Sequence, residues 1–400
     1  MTTFAVRFLG CKVSHTDTHA VRERLLGDGH AEATAGDAEI AIVNTCCVTN
    51  EAVAKSRKEA ARAARTHRRV YVTGCGANLQ ENAFAGLPEN VVVVSRRSEE
   101  TPGFVARDVG AIGCVQAEAR LDRVRAFVKV QDGCSFSCNF CVVPLVRGGS
   151  RSRAARAVLH EVRRRVEQGH REIVLTGINL GCYRDRTAGH KLPQLVRAVA
   201  AVPGVQRLRL SSIEVNHVDD ELVAALRETA TVARHLHVPL QSGDDGVLAA
   251  MGRRYRAATY LRRLEPLRDE FNLTADVIVG FPTEDEQAFD NTLRVVERAG
   301  ITRVHVFPYS PRPGTATAHD DAVSPQVKKE RSVRLRAASE AAQRARWHSK
   351  VGRLDLVLVD RPGRGYGDDY SPWLLGDDVP LGELVPVRGA AVTDEGILAA

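Results

Sequence analysis

Cys134-Ser135-Phe136-Ser137-Cys138-Asn139-Phe140-Cys141 places three cysteines at the spacing C-x3-C-x2-C. Four-iron clusters are held by cysteine thiolates, usually four of them. Three in one short loop can each take one iron of a cubane, which leaves the fourth iron without a protein ligand. An open iron can hold a small molecule, as the open position of a catalytic zinc does. Structural zinc sites favour C-x2-C pairs and need a fourth ligand. A disulfide framework needs an even number, and cysteines this close in a 400-residue chain more often serve a metal. The spacing therefore favours an open iron–sulfur site over zinc or a bridge.

Outward from this loop, residues 125–345 repeat strand then helix. The strands read as Ala126–Val130, Ile173–Thr176, Arg207–Leu210, His235–Val238, Ala275–Val279 and Arg303–Phe307, with helices such as Ala154–Gln168 and Tyr260–Phe271 between them. Six strands with helical crossovers imply a parallel sheet with right-handed connections. The expected fold class is α/β, with a partial (βα)6 barrel whose working residues lie at the carboxyl ends of its strands.

Upstream, residues 1–110 read as a separate α/β domain. Phe4–Leu9, Ile40–Val43, Val70–Thr73 and Val91–Val94 are strands; helices are expected from about Asp17 and over Ala52–Arg69. Cys11, Cys46 and Cys75 each follow one of the first three strands, at the edge where open α/β sheets bind ligands. A single small cysteine there is ordinary core filling. Three at equivalent strand ends favour a second three-cysteine site, and the adjacent Cys47 competes with Cys46 for one ligand role. Residues 101–124 show no clear periodicity, and a linker is placed at 111–124. Cys114 lies in it without a partner at ligand spacing and reads as a packing residue.

Val323–Lys350 is a charged helical exit, and 346–400 reads as a small β domain. Over 351–400 four arginines meet nine acidic residues, a net −5, so the rest of the chain carries +12 of the overall +7. A pI near 9.0 is a weak pointer to an anionic partner. No apolar run approaches the 18 or so residues of a membrane span, and the start Met1–Arg7 reads as a strand. The expectation is a cytoplasmic protein with no membrane partner, whose nine cysteines serve as ligands more than as bridges.

The cysteine loop resembles the signature of radical S-adenosylmethionine (SAM) enzymes. Gly10-Cys11-Lys12-Val13, Asn44-Thr45-Cys46, Thr73-Gly74-Cys75 and the Cys134 loop, in that order, are similar to the methylthiotransferase family of those enzymes. The resemblance spans essentially the whole chain. It implies an N-terminal methylthiotransferase domain, a radical SAM barrel and a TRAM-like C-terminal domain. Asn44–Asn50, Lys55-Ser56-Arg57-Lys58 and His305–Thr315 resemble the branch that adds a methylthio group at C2 of N6-threonylcarbamoyladenosine beside the tRNA anticodon. That branch usually has Thr where this chain has Cys47, so the resemblance gives the ligand role to Cys46.

The resemblance implies two [4Fe-4S] clusters and SAM as cofactors. Cys134, Cys138 and Cys141 would hold the cluster that cleaves SAM to a 5′-deoxyadenosyl radical, with Phe140 near the adenine. Cys11, Cys46 and Cys75 would hold the cluster that presents sulfur, and both would face one cavity. Thr176, Gly177, Asn179, Ser212, Glu214, Gln241 and Gly280, at strand ends, are candidate SAM or substrate contacts, though such residues also cap turns. Asp132 reads equally well as structural. Arg147, Arg151 and Arg153 are candidate contacts to the tRNA anticodon stem-loop. A low-potential electron donor of the flavodoxin or ferredoxin type and a sulfur donor are implied partners. The rival readings are a methylthiotransferase for isopentenyladenosine in tRNA or for an aspartate of a ribosomal protein, and, from another class, a non-catalytic iron–sulfur RNA-binding sensor.

Overall fold

The computed structural model describes residues 1–79, 83–111 and 124–400. Nearly all of the linker read at 111–124, Cys114 included, lies outside them. Two compact units are formed, and chain order does not separate them. Met1–Arg120, Asp132–Arg151 and Ser310–His319 make the first; Leu121–Gln131, Ser152–Tyr309 and Asp320–Ala400 make the second.

The first unit holds a five-stranded parallel sheet in the order Ala31–Glu32, Thr3–Phe8, Ile40–Thr45, Arg69–Gly74, Val91–Val93. Ile40–Thr45 is buried at every position, as a central strand covered on both faces must be. The first helix, Lys12–Gly27, starts earlier than its apolar residues suggested, with Cys11 at its N-cap. The second, Asn50–Ala64, stops short of Arg69; Thr49 caps it by accepting from the Ala52 N–H. Residues 101–110 are not irregular: Thr101–Val109 is a helix. Pro102 and Gly103 in its first turn hid it from a periodicity reading, although proline is favoured there. Val105 of this helix packs with Phe4, Val21, Leu25, Ile40 and Tyr71.

The second unit begins with six parallel strands in chain order: Arg125–Lys129, Glu172–Thr176, Arg207–Leu210, His235–His237, Asn272–Val279 and Ile301–Pro308. Between the third and fourth the ladder thins to single bridges, Leu208 with Val232 and Ser212 with His237. Leu175, Leu208, Leu236, Leu273 and Val277 face a layer of helices and form one core with Val158, Val196, Leu222 and Phe289. This is the expected (βα)6 arrangement. Helix Pro325–His348 leads to a five-stranded closed barrel over Leu354–Ala399, filled by Trp373, Val357 and Ile397.

That small barrel meets the amino ends of the parallel strands through charge. Glu172, fully buried, accepts from Arg209 at 3.0 Å and pairs with Arg207 at 3.3 Å. The two arginines also donate to the carbonyls of Leu356, Tyr366, Gly367 and Asp368. Arg125 adds an ion pair to Asp360 at 2.8 Å and a bond to the Tyr370 hydroxyl. Among the described residues no helix is long and apolar enough to cross a membrane.

Candidate active site

All six cysteines of the two predicted sites fall in the first unit. The loop that carries Cys134, Cys138 and Cys141 is shaped by its own backbone. Gly133 adopts φ +70°, and a Cβ there would lie 2.2 Å from the Gly149 carbonyl oxygen, so only glycine fits. The Cys134 N–H donates to the Gly148 carbonyl at 3.0 Å, the Ser150 N–H to the Ser135 hydroxyl at 3.0 Å, and the Cys141 N–H to the Cys138 carbonyl at 3.1 Å. The Phe136 N–H points at the Cys134 sulfur at 3.4 Å. All three thiols are half-buried, as is Phe140.

Cys11, Cys46 and Cys75 follow three neighbouring strands of the sheet, at their carboxyl ends. Cys46 is anchored by Ser56, whose hydroxyl accepts from the Cys46 N–H at 3.2 Å and donates to its carbonyl at 3.4 Å. Ser56 belongs to the branch segment Lys55–Lys58 and is fully buried. Burial raises the Cys46 thiol above its ordinary range, against backbone donation from Val48 and Cys47. Cys75 goes the other way: its thiol is pulled down to about 6, first by a hydrogen bond from Cys47 and then, against burial, by Arg147. Giving that bond and being buried push the Cys47 thiol up.

Arg147 was expected to contact RNA, but the structure buries it. Its Nε donates to the Cys75 sulfur at 3.0 Å, one terminal nitrogen to Asp132 at 3.0 Å, and the other to Asp17 at 2.9 Å and the Ser14 hydroxyl at 3.4 Å. A guanidinium committed to two carboxylates and a sulfur has no face for a phosphate. Asp132 also accepts from the Ser98 hydroxyl at 2.7 Å, so its role is internal. These residues line a cavity of about 310 Å³ together with Thr73, Arg96 and Arg97. Arg151 bonds the carbonyls of Arg147 and Gly149 and stays partly exposed. In the second unit Arg153 pairs with Glu161 at 2.6 Å and is also partly exposed. Arg312, from the other branch segment, is buried beside Cys46 and Cys47 and bonds Asn50.

Apart from Phe140, the predicted SAM contacts lie in the second unit and divide into two groups. Thr176 Oγ1 and Asn179 Oδ1 are buried without a hydrogen-bond partner among the described residues, as is Ser211 Oγ beside the predicted Ser212. Buried polar atoms are nearly always bonded, so three orphans at strand ends suit a polar ligand. Gln241 takes φ +66°, an unusual backbone for a residue with a side chain and one that clusters at functional sites. The other group has local duties. Glu214 caps the turn Val215–His217 by accepting from the Asn216 N–H at 2.9 Å, and burial raises its carboxyl. Gly280 has φ +72°, donates to Glu284 at 2.7 Å, and lies so close to Lys328 that a Cβ would sit 2.3 Å away. Gly177 packs on Gln131, whose side chain accepts from the Asn179 N–H. Sequence reading missed the lumenal layer His237, Asp276 and His305, on three adjacent strands, with His237 Nε2 3.2 Å from Asp276. Alternation along the strands, opposite the apolar Leu236, Ala275 and Val304, was the available signal.

Two family profiles match the chain: the radical SAM superfamily over residues 128–296, and an uncharacterised protein family, UPF0004, over residues 3–95. The chain is 33% identical to the threonylcarbamoyladenosine tRNA methylthiotransferase MtaB of Thermotoga maritima, covering 100% of this chain and 96% of that one. The MtaB proteins of Chlamydia pneumoniae and Bacillus subtilis are 32% and 34% identical, over 99% and 97% of this chain and 97% and 94% of theirs. The chain belongs to the MtaB-like methylthiotransferase family. Solved structures agree at the level of fold. The radical SAM methyltransferase TsrM of Kitasatospora setae superposes with a TM-score of 0.59 at 14% identity, over 79% of this chain and 74% of that one. As a radical SAM methylthiotransferase the protein uses SAM and a [4Fe-4S] cluster. The residues present fit both groups: half-buried thiols on a rigid loop for the cluster, orphaned polar atoms at strand ends for SAM.

Proposed function

We propose that this enzyme adds a methylthio group to C2 of N6-threonylcarbamoyladenosine beside the anticodon of tRNA, using two [4Fe-4S] clusters. Cys134, Cys138 and Cys141 would hold the SAM-binding cluster, and Cys11, Cys46 and Cys75 the cluster that carries sulfur. When bound, these groups supply the radical and sulfur chemistry that an aromatic C–H bond demands and that side-chain acids and bases do not offer. The chain's own residues bind and position. Ser56 and Arg147 fix Cys46 and Cys75, while Thr176, Asn179 and Gln241 would orient SAM. Arg151 and Arg153, partly exposed, are the remaining candidates for phosphate contact. A low-potential flavodoxin- or ferredoxin-type protein would supply electrons, and a separate donor would supply sulfur.

The observation that carries the substrate reading is the placement of the branch segments. Ser56 holds the Cys46 backbone from one of them. From the other, Ser310, Pro311 and Arg312 bond Asn50, at the start of the same helix. Full-length relatives named for threonylcarbamoyladenosine point the same way. The test uses purified enzyme with SAM, sulfide and a reductant on three anticodon stem-loops. Threonylcarbamoyladenosine should be methylthiolated, with isopentenyladenosine and unmodified adenosine far slower, because a site built for a polar group rejects an analogue that lacks it. Equal rates on all three would remove the substrate reading and leave the family.

A further inference from the structure

Among the three cysteines at the strand ends, Cys75 has distinct surroundings. Two side-chain donors from distant parts of the chain converge on its sulfur: Arg147 Nε at 3.0 Å and the thiol of Cys47. Cys11, by contrast, is exposed, with a Ser14 hydroxyl at 3.6 Å, and Cys46 receives backbone N–H groups. Neither donor to Cys75 is accidental. Burying a guanidinium is costly unless its nitrogens are bonded, and Arg147 gives all three nitrogens a partner only by including Cys75 with Asp17, Asp132 and Ser14. Cys47 is 1% exposed and packs with Cys75, Val142 and Val146, so its thiol lies against the Cys75 sulfur.

We propose that Arg147 and Cys47 form a two-donor cradle on the Cys75 sulfur that fixes this ligand and raises the reduction potential of the N-terminal cluster, with Cys47 acting as donor and not as ligand. The proposal rests on the reading of Cys11, Cys46 and Cys75 as cluster ligands. Hydrogen bonds and positive charge at a ligand sulfur draw electron density from it and favour the reduced cluster. The cradle also accounts for the departure at position 47. The threonine usual in this branch carries a hydroxyl donor of similar reach, so the exchange keeps the donor and changes only its atom. Both are positioning residues that act through Cys75.

The test uses full-length protein with Cys134, Cys138 and Cys141 changed to Ala, reconstituted anaerobically so that only the N-terminal cluster remains. Its midpoint potential is read by redox titration with electron paramagnetic resonance, and iron per chain is counted. Cys47→Ala should keep the iron and disfavour reduction about tenfold, which is 59 mV for one electron. Cys47→Thr should return the potential toward the parent. Arg147→Gln should shift it further in the same direction; if that variant retains no iron, the Cys47 pair alone decides. An unchanged potential in Cys47→Ala overturns the proposal. So does loss of iron in Cys47→Ala with retention in Cys46→Ala, which makes Cys47 the ligand. A parent protein without iron overturns the two-cluster reading itself, and the cradle falls with it.

Discussion

Each unit of this protein buries a cluster of arginine and carboxylate, and the two clusters differ in what else the arginine meets. In the second unit Arg125, Arg207 and Arg209 surround Glu172, Asp360 and Asp368, and leftover donors meet backbone carbonyls. Against burial, which raises it, the three guanidiniums hold the Glu172 carboxyl below its ordinary range. Cations and anions match, and nothing further is needed. In the first unit the Arg147 guanidinium meets Asp17, Asp132 and the Cys75 sulfur, whose thiol it helps to pull down. A thiol drawn below its ordinary range is a better metal ligand, because metals bind the deprotonated form. The first set joins the small barrel to the parallel strands; the second surrounds the sulfur of a proposed cluster ligand.

The sharpest challenge is to remove the thiols of the Cys134 loop, the proposed ligands of the SAM-binding cluster. Changing Cys134, Cys138 and Cys141 to Ala should abolish formation of 5′-deoxyadenosine and leave about half of roughly eight irons per chain, four for each cubane. Full iron content in that variant would mean the loop holds no cluster.

Next in size is the balanced cluster. Glu172→Gln leaves Arg207 and Arg209 buried without their shared carboxylate, a change that typically costs about 3–5 kcal/mol. Both tryptophans, Trp347 and Trp373, lie in the second unit. Urea unfolding followed by their fluorescence should therefore show the loss, with iron content unchanged. Normal unfolding together with lost iron would erase the distinction between the clusters.

A smaller effect concerns pH in iron-free protein. The Cys75 thiol is depressed in the folded state from 9.0 to about 6. Such a group adds stability that is fully present above pH 9 and is lost as pH falls through 6. Hydrogen-exchange protection of strand Arg69–Gly74, corrected for intrinsic rates, should decline across that window, and Cys75→Ser should flatten the decline. A parallel decline in both proteins would place the pH dependence elsewhere.

The smallest effect is expected at the partly exposed arginines. Arg151→Ala and Arg153→Ala should each weaken tRNA binding and reduce its salt slope by about one for each phosphate left without its cation. SAM cleavage should persist. An unaltered slope would show that their internal partners, Glu99 for Arg151 and Glu161 for Arg153, are all that they serve.

Much of the fold was legible because its signals are local. Strand Arg207–Leu210 matches the reading residue for residue, and the other five parallel strands are displaced at their ends by three residues or fewer. Helix Thr101–Val109 was not legible, since Pro102 and Gly103 interrupt the apolar period over a helix of nine residues. The positions of the two cysteine triads, on one loop and at three neighbouring strand ends, were legible, and the side chains packed around them were not. Glu214 and Gly280 both follow strands, and only the structure shows that one caps a turn and the other is a tight backbone approach.

The cysteine spacings, the alternation of strand and helix, and the segments that mark the family are all written in the chain itself. These depend on neighbours a few residues apart, so they survive without knowledge of the fold. Where Arg147 and Cys47 sit was settled by tertiary packing alone. Arg147 lies six residues after Cys141 in a run of basic residues, which reads as a surface for RNA. Its guanidinium instead reaches a sulfur 72 residues upstream and a carboxylate 130 residues upstream. Whether a charge faces water or a buried thiolate depends on what the chain brings to it from afar, and no local pattern records that.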